Sequence, residues 1–120
     1  VSKMGVIRYK NHLDQLHRVH GPAIICDDGS KEWYLDGNRH RTDGPAVIRR
    51  DGDELWYLNG RYHRTDGPAV KSANGDETWY VNGRPHRIDG PAISWIGSKS
   101  WYLHGDYLTE EEWNERIQSL

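Results

Sequence analysis

His40-Arg41-Thr42-Asp43-Gly44-Pro45-Ala46 is the stretch that decides the fold, because it recurs along the chain. The motif returns from His63 to Ala69 and from His86 to Ala92, and an earlier copy, His17 to Ala23, has His in the place of Asp. The copies begin at residues 17, 40, 63 and 86, which are 23 residues apart. Self-similarity at a short fixed period is the signature of a repeat architecture. The sequence therefore predicts four repeats.

Each repeat also carries an aromatic pair and two turn dipeptides, such as Asn59-Gly60 and Asn74-Gly75. The aromatic pairs are Trp33-Tyr34, Trp56-Tyr57, Trp79-Tyr80 and Trp101-Tyr102. Asn-Gly and Asp-Gly are the strongest short-range hairpin signals, because a type I′ turn needs positive φ at both central residues. In one copy we predict a strand over residues 53–58, a turn at Asn59-Gly60, and a return strand over residues 61–73 that bends at the Asp-Gly-Pro.

We therefore predict an all-β fold: an antiparallel meander of four 23-residue β-hairpin repeats in one elongated, twisted sheet, with a C-terminal capping α-helix. Residues 1–16 form a degenerate N-terminal strand or cap, residues 17–108 the four repeats, and residues 109–120 the helix. Thr109 and Glu112 make a capping box, and Leu108 with Trp113 makes a hydrophobic staple. This helix is expected to cover the terminal repeat and protect the sheet edge.

Alternation along a strand places Trp56 and Leu58 on one face and Leu55 and Tyr57 on the other. Because Trp recurs in every copy, we assign the Trp face to the core. The Tyr residues form a half-exposed ladder on the opposite face: Tyr34, Tyr57, Tyr80 and Tyr102.

The composition and charge of the chain argue against two classes of protein, DNA-binding and membrane-spanning. The 120 residues suit one domain, and 16 Lys and Arg against 18 Asp and Glu lack the basic excess of a DNA-binding protein. Apolar area comes largely from 6 Trp and 7 Tyr. No apolar run approaches the roughly 20 residues of a membrane span. No secretory signal is visible, although the chain starts at Val1 without Met, and the lone Cys26 excludes an internal disulfide, so we expect a cytoplasmic location.

The repeat resembles a known family. Its aromatic strand, Asn-Gly turn, following His and Gly, and Asp-Gly turn are similar to the MORN (membrane occupation and recognition nexus) repeat. The resemblance covers about residues 17–108. It is greatest to the divergent His-Arg-x-Asp-Gly-Pro-Ala form found in viral, phage and bacterial proteins. It implies a hairpin-stacked, non-catalytic scaffold used for protein contact or self-association.

Two rows of ionisable residues are candidates for ligand binding. The Arg row contains Arg18, Arg41, Arg64 and Arg87, and the His row contains His17, His40, His63 and His86. Successive His residues lie about 10 Å apart if two strands separate them, so they cannot share one metal ion, and no metal site is predicted. In the structural interpretation each His caps a repeat junction and each Arg pairs with the Asp two residues later.

The alternative is an anion groove, in which the Arg and His rows hold nucleotide phosphates beside Tyr rings. Its residues are Arg18, Arg41, Arg64, Arg87, His40, His63 and His86. The first copy has His20 in place of Asp, so its Arg is the least neutralised.

Catalysis is not expected, because the chain has no nucleophile elbow, phosphate loop or zinc-protease motif. No cofactor is expected either. We predict a scaffold that binds a protein partner and, by the resemblance, a viral or phage protein acting on a host factor. The alternatives are nucleotide or small-ligand binding or sequestration, and structural self-association as a homo-oligomer. The predicted contact residues are Trp95, Tyr107, Trp113, Arg116, Tyr34, Tyr57, Tyr80 and Tyr102.

Trp95 is the main reason to place contacts in the C-terminal third. The other copies carry Cys26, Arg49 and Ser72 at its position, so the fold does not require an aromatic there. Exposed Trp residues are typical of binding hot spots. The alternative is that Trp95 packs under the helix and fills the space left by a one-residue deletion in the last copy.

Overall fold

The computed structural model describes residues 5–120 as an elongated β-structure of 55 × 32 × 18 Å with a helix at its C-terminal end. The elements are β1 (Val6–Arg8), β2 (Ile24–Cys26), β3 (Lys31–Glu32), β4 (Tyr34–Leu35), β5 (Asn38–Arg39), β6 (Val47–Ile48), β7 (Glu54–Leu55), β8 (Tyr57–Leu58), β9 (Arg61–Tyr62), β10 (Val70–Lys71), β11 (Glu77–Thr78), β12 (Tyr80–Val81), β13 (Arg84–Pro85), β14 (Ile93–Trp95), β15 (Ser98–Leu103), β16 (Asp106–Leu108) and α1 (Glu110–Gln118). An antiparallel sheet runs in the order β1-β2-β3-β6-β7-β10-β11-β14-β15-β16, and the hairpins β4–β5, β8–β9 and β12–β13 lie beside it. The predicted elongated meander with a C-terminal helix is confirmed.

The predicted strands are interrupted in each inner repeat. The strand expected over residues 53–58 breaks at Trp56 into β7 and β8, and the His-Arg-Thr-Asp-Gly-Pro loop splits the return strand into β9 and β10. The Trp56 N–H donates to the Ala69 carbonyl at 2.7 Å, and the Trp56 carbonyl accepts from the His63 N–H at 3.0 Å. The strand predicted over residues 53–58 is therefore interrupted at Trp56, which joins the large sheet to a separate small hairpin, and the bend predicted in the return strand is a full break between β9 and β10.

The two kinds of turn differ. Asn59 and Gly60 both have positive φ, at 50° and 80°, as the type I′ prediction requires. At the Asp28-Gly29 turn only the Gly is positive, at 95°. There the Gly29 N–H donates to the Cys26 carbonyl, and the Cys26 N–H donates to the Ser30 carbonyl. This is a three-residue loop closed by a left-handed Gly, and Asp51-Gly52 and Asn74-Gly75 likewise have positive φ only at the Gly. The type I′ prediction therefore fails for these turns, whereas Asp36-Gly37 has positive φ at both residues and fits it.

The core differs from the predicted Trp face. The most buried residues are the four alanines of the motif, all fully inaccessible: Ala23, Ala46, Ala69 and Ala92. Val47, Leu55 and Thr78 are also buried and lie on one face of the large sheet. The Trp residues expected to form the core, Trp33, Trp56, Trp79 and Trp101, are only half-buried. The break at Trp56 explains the difference, because simple alternation does not extend across it.

The C-terminal cap forms as predicted. The Thr109 hydroxyl accepts the Glu112 N–H at 3.1 Å, and the Glu112 carboxylate accepts the Thr109 N–H at 2.9 Å. Trp113 packs with Leu103 and Leu108. Within residues 5–120 no helix is long and apolar enough to cross a membrane.

The N-terminal end is a degenerate repeat rather than a single strand. β1 pairs with β2, and the Tyr9 N–H donates to the Ala23 carbonyl as Trp56 does to Ala69. The His17 N–H donates to the Tyr9 carbonyl at 2.9 Å, so Tyr9 takes the place of the repeat Trp. Residues 1–4 of the predicted N-terminal segment lie outside the described residues.

Candidate functional site

Each Arg of the later three motif copies is held against the Trp of its own repeat. The Arg64 guanidinium carbon lies 3.9 Å from the centre of the Trp56 ring. Its Nε donates to an Asp66 carboxylate oxygen at 2.9 Å, and its Nη1 donates to the Pro68 carbonyl at 3.2 Å. The hydrogen bond from Arg64 lowers the pKa of Asp66. The same contacts recur in the neighbouring copies at Arg41 with Trp33, Asp43 and Pro45, and at Arg87 with Trp79, Asp89 and Pro91.

The Arg side chain closely approaches the backbone of the motif Gly. A Cβ atom on Gly67 would lie 2.5 Å from the Arg64 guanidinium carbon, and Gly44 and Gly90 face the same contact. No positive φ is recorded at Gly67. The Arg is therefore enclosed by a ring, a carboxylate and a glycine backbone, and of these contacts the sequence predicted only the pairing with Asp.

The His row joins adjacent repeats. The His40 Nδ1 accepts the Asn59 N–H at 3.0 Å, and the His63 Nδ1 accepts the Asn82 N–H at 3.0 Å. His17 and His86 make the equivalent bonds to Asp36 and His104. Each bond satisfies a backbone donor in the type I′ turn of the next repeat, and it requires an unprotonated Nδ1. The predicted role at the repeat junction is therefore present in the structure.

The Tyr row is interleaved with the residues that follow each type I′ turn. Tyr57 stacks on Tyr62 at a centroid distance of 4.5 Å, and Tyr62 stacks on Tyr80 at 5.0 Å. Burial, with a hydrogen bond to Tyr57, raises the pKa of Tyr62 to about 12. Tyr102 meets Tyr107 edge to face at 5.6 Å. The Tyr side chains of the predicted ladder are half-buried, as expected, whereas Tyr107 is exposed.

At the start of that stack an arginine takes the place of an aromatic ring. Arg39 donates to the hydroxyls of Tyr34 and Tyr57 at 3.2 Å and to the Glu32 carboxylate at 3.1 Å. Sequence reasoning missed Arg39 and Tyr62. Their common position, the second residue after each Asp-Gly or Asn-Gly turn, was a signal that could have identified them.

The C-terminal residues predicted as contacts fall into two groups. Trp95 is 53% exposed and Tyr107 is 64% exposed, and Arg116 is also exposed. Trp113 is only 8% exposed, and its indole N–H donates to the Arg87 carbonyl at 2.9 Å. Trp113 therefore belongs to the core of the helical cap and does not offer its ring to a partner, because it fills the space over Leu103 and Leu108.

Trp95 lies away from the cap. It pairs with Ser98, which shares a face with Tyr102 and not with Trp101, whose side chain packs against the cap. Its indole N–H donates to the Thr78 hydroxyl at 3.2 Å. The deletion in the last copy shortens the β14–β15 loop to two residues, Ile96-Gly97, and Ile96 is 80% exposed.

The Cys26 thiol and the metal-ligating side chains do not point to a further site. Burial and the nearby Asp28 carboxylate raise the pKa of the Cys26 thiol, which lowers its thiolate fraction. Within residues 5–120 no group of three or more His, Cys, Asp or Glu side chains is arranged to hold a metal ion.

Comparisons of the chain with protein-family models, with curated proteins and with solved structures found no match. The resemblance to the MORN repeat therefore remains a prediction.

Proposed function

We propose that this chain is a non-catalytic repeat scaffold that binds a protein partner through a terminal patch, defined by Trp95 and Ile96. The observation that carries the proposal is the exposure of these two adjacent apolar side chains in the β14–β15 turn. The two side chains expose a large apolar area to water. Burying that area in a complementary pocket of a partner would stabilise the complex.

The internal repeats support a binding role for the terminal patch. The residues equivalent to Ile96 in the other copies are Asp28, Asp51 and Asn74, which suit a solvated turn. Neither Trp nor Ile is therefore needed to build a repeat. Tyr107 lies on the same face, four residues along β15 or about 13 Å away. It extends the surface toward the end of the molecule.

The contacts of the Arg and His rows favour a scaffold over nucleotide binding. Three guanidinium groups are already paired with carboxylates, and four imidazole nitrogens already accept backbone N–H groups. A phosphate at these three arginines would be repelled by the carboxylates already paired with them. The resemblance to viral and phage repeats makes a host protein the first class of partner to screen.

The test compares the wild-type chain with a Trp95→Ser/Ile96→Asp double variant. The double variant loses the hydrogen bond to Thr78, which is worth about 1 kcal/mol, and the packing of the covered part of the indole, so thermal melting must first show that it is folded. A partner isolated with the wild type is then titrated by calorimetry, and the double variant should weaken its binding by about 2 kcal/mol or more. The control is Leu13→Ser, since Leu13 is an exposed apolar residue, at 64%, in a different loop. Equal affinity of the double variant and the wild type would disprove the proposal.

Two measurements separate the alternative functions. Sedimentation of the wild type and the double variant tests self-association: a dimer that dissociates on Trp95→Ser/Ile96→Asp makes a second copy the partner. A nucleotide panel followed by thermal melting tests the anion groove. A rise of several degrees with one nucleotide, lost on Arg64→Ala, would favour nucleotide binding over the scaffold.

A further inference from the structure

The first repeat lacks one component of the Arg–Trp–Asp arrangement. In the other three copies the Arg Nε donates to an Asp oxygen at 2.7–2.9 Å. In the first copy His20 stands at the Asp position. The remaining contacts are kept: the Arg18 guanidinium lies 4.0 Å from the Tyr9 ring centre, and its Nη1 donates to the Pro22 carbonyl at 3.3 Å.

No carboxylate replaces the missing Asp. Among residues 5–120 no Asp or Glu oxygen lies within 4.0 Å of the Arg18 guanidinium, and residues 1–4 contain no acidic side chain. The loop also differs at Gly21, where φ is 144°, whereas no positive φ is recorded for its counterparts Gly44, Gly67 and Gly90. Arg18 is thus the one member of the Arg row whose Nε has no carboxylate partner in the described chain.

A groove opens beside this side chain, between the first and second motif loops. Its volume is about 540 Å³, a size usual for small-ligand sites. Its apolar lining includes Trp33 and Leu35. Its charged and polar lining includes Arg18, His20, Arg41 and Asp43. The Arg41 charge is offset by Asp43, so the Arg18 charge is the unbalanced one.

We propose that this groove binds a peptide segment bearing an Asp or Glu side chain, whose carboxylate takes the position beside Arg18 that Asp43, Asp66 and Asp89 take in the other copies. The other three repeats show the proposed arrangement within the chain, because each places an Asp carboxylate against the equivalent Arg–aromatic pair. Charge-assisted hydrogen bonds of this kind are about twice as strong as neutral ones. Trp33 and Leu35 would contact an apolar side chain next to the acidic residue. The site lies at the opposite end of the repeat array from the terminal patch and does not depend on the proposed function.

The experiment is a nuclear magnetic resonance titration of the ¹⁵N-labelled full chain, observing the Arg Nε–H signals. The probe is acetyl-Leu-Asp-amide, with acetyl-Leu-Asn-amide as the uncharged match. The Arg18 signal, assigned by its loss in Arg18→Lys, should shift with a Kd on the order of 1 mM for the Asp peptide. The Asn peptide should bind at least about tenfold more weakly. Equal binding of the two peptides would rule out carboxylate recognition.

Two reciprocal variants use the repeats as controls. His20→Asp restores the missing carboxylate within the chain, so it should weaken peptide binding by at least about tenfold and leave the melting temperature equal or higher. His20→Asn, which adds no charge, should keep the binding. Asp66→His should open a second site, seen as a peptide-dependent shift of the Arg64 signal. Unchanged peptide binding in folded His20→Asp would overturn the proposal.

Acetate and inorganic phosphate separate the possible sources of the anion. Acetate should bind at least about tenfold more weakly than the Asp peptide, because it cannot reach Trp33 and Leu35. Acetate or phosphate binding as tightly as the peptide would overturn the assignment to a peptide segment.

Discussion

Replacing Gly67 by Ala is expected to destabilise the fold through a side chain rather than through the backbone. The added Cβ would lie 2.5 Å from the Arg64 guanidinium carbon, so the Arg side chain must shift, and we expect the shift to break its contact with the Trp56 ring. That movement loses a half-buried cation–π contact of about 1 kcal/mol and the hydrogen bond to the Pro68 carbonyl, also about 1 kcal/mol. The Asp66 pair adds little, because that carboxylate is mostly exposed.

The net loss is expected to be about 1.5 kcal/mol, because Ala restricts the unfolded chain more than Gly and returns about 0.5 kcal/mol. Urea unfolding followed by Trp fluorescence measures it. Arg64→Ala alone should cost about 2 kcal/mol. In the Arg64→Ala background the Gly67→Ala change should be neutral or slightly stabilising, because the clash has been removed.

Thr65→Ala, an exposed change in the same loop, is the control and should stay within about 0.5 kcal/mol of wild type. If Gly67→Ala costs the same with and without Arg64, the loss arises in the backbone and the close-approach argument is wrong.

Three further predictions concern other parts of the repeat. Trp56→Ala should cost about 3 kcal/mol, the low end for an aromatic truncation, because Trp56 is half-buried; an unchanged urea midpoint would contradict this. Gly60→Val should lower the free energy of unfolding by more than about 1 kcal/mol, because Gly60 has a φ of 80°, whereas Asn59→Gly should be nearly neutral. Equal melting temperatures for the two variants would contradict the type I′ turn. Burial and His104 lower the pKa of His86, so the stability it contributes should be complete above pH 6.5 and decline as the pH falls below that value. His86→Asn, whose amide oxygen can accept the same N–H, should flatten that decline between pH 7 and 5, and parallel pH profiles would disprove the role.

Residues near one another in the chain determined the repeat, the positions of its turns and the cap. Asn59-Gly60 marks a turn, because positive φ is cheap only for Gly and a few polar residues. Asn74-Gly75 has the same dipeptide but positive φ only at the Gly, so the dipeptide alone does not set the turn type. Thr109 and Glu112 satisfy each other's backbone donors within one helical turn. The gap beside Arg18 is also visible in the sequence, because the other copies show which residue is missing.

Contacts between distant residues decided which side chains form the core and which remain exposed. The Asn59 N–H reaches the His40 ring 19 residues away, and Trp113 reaches the Arg87 carbonyl 26 residues away. Alternation along a strand could not foresee the break at Trp56, because the break depends on pairing with Ala69 and His63. Trp95 and Trp113 are both plausible contact residues in the sequence. Only the tertiary structure separates them, since burial depends on what packs above a side chain, and the strand register places Trp95 on the face opposite the cap.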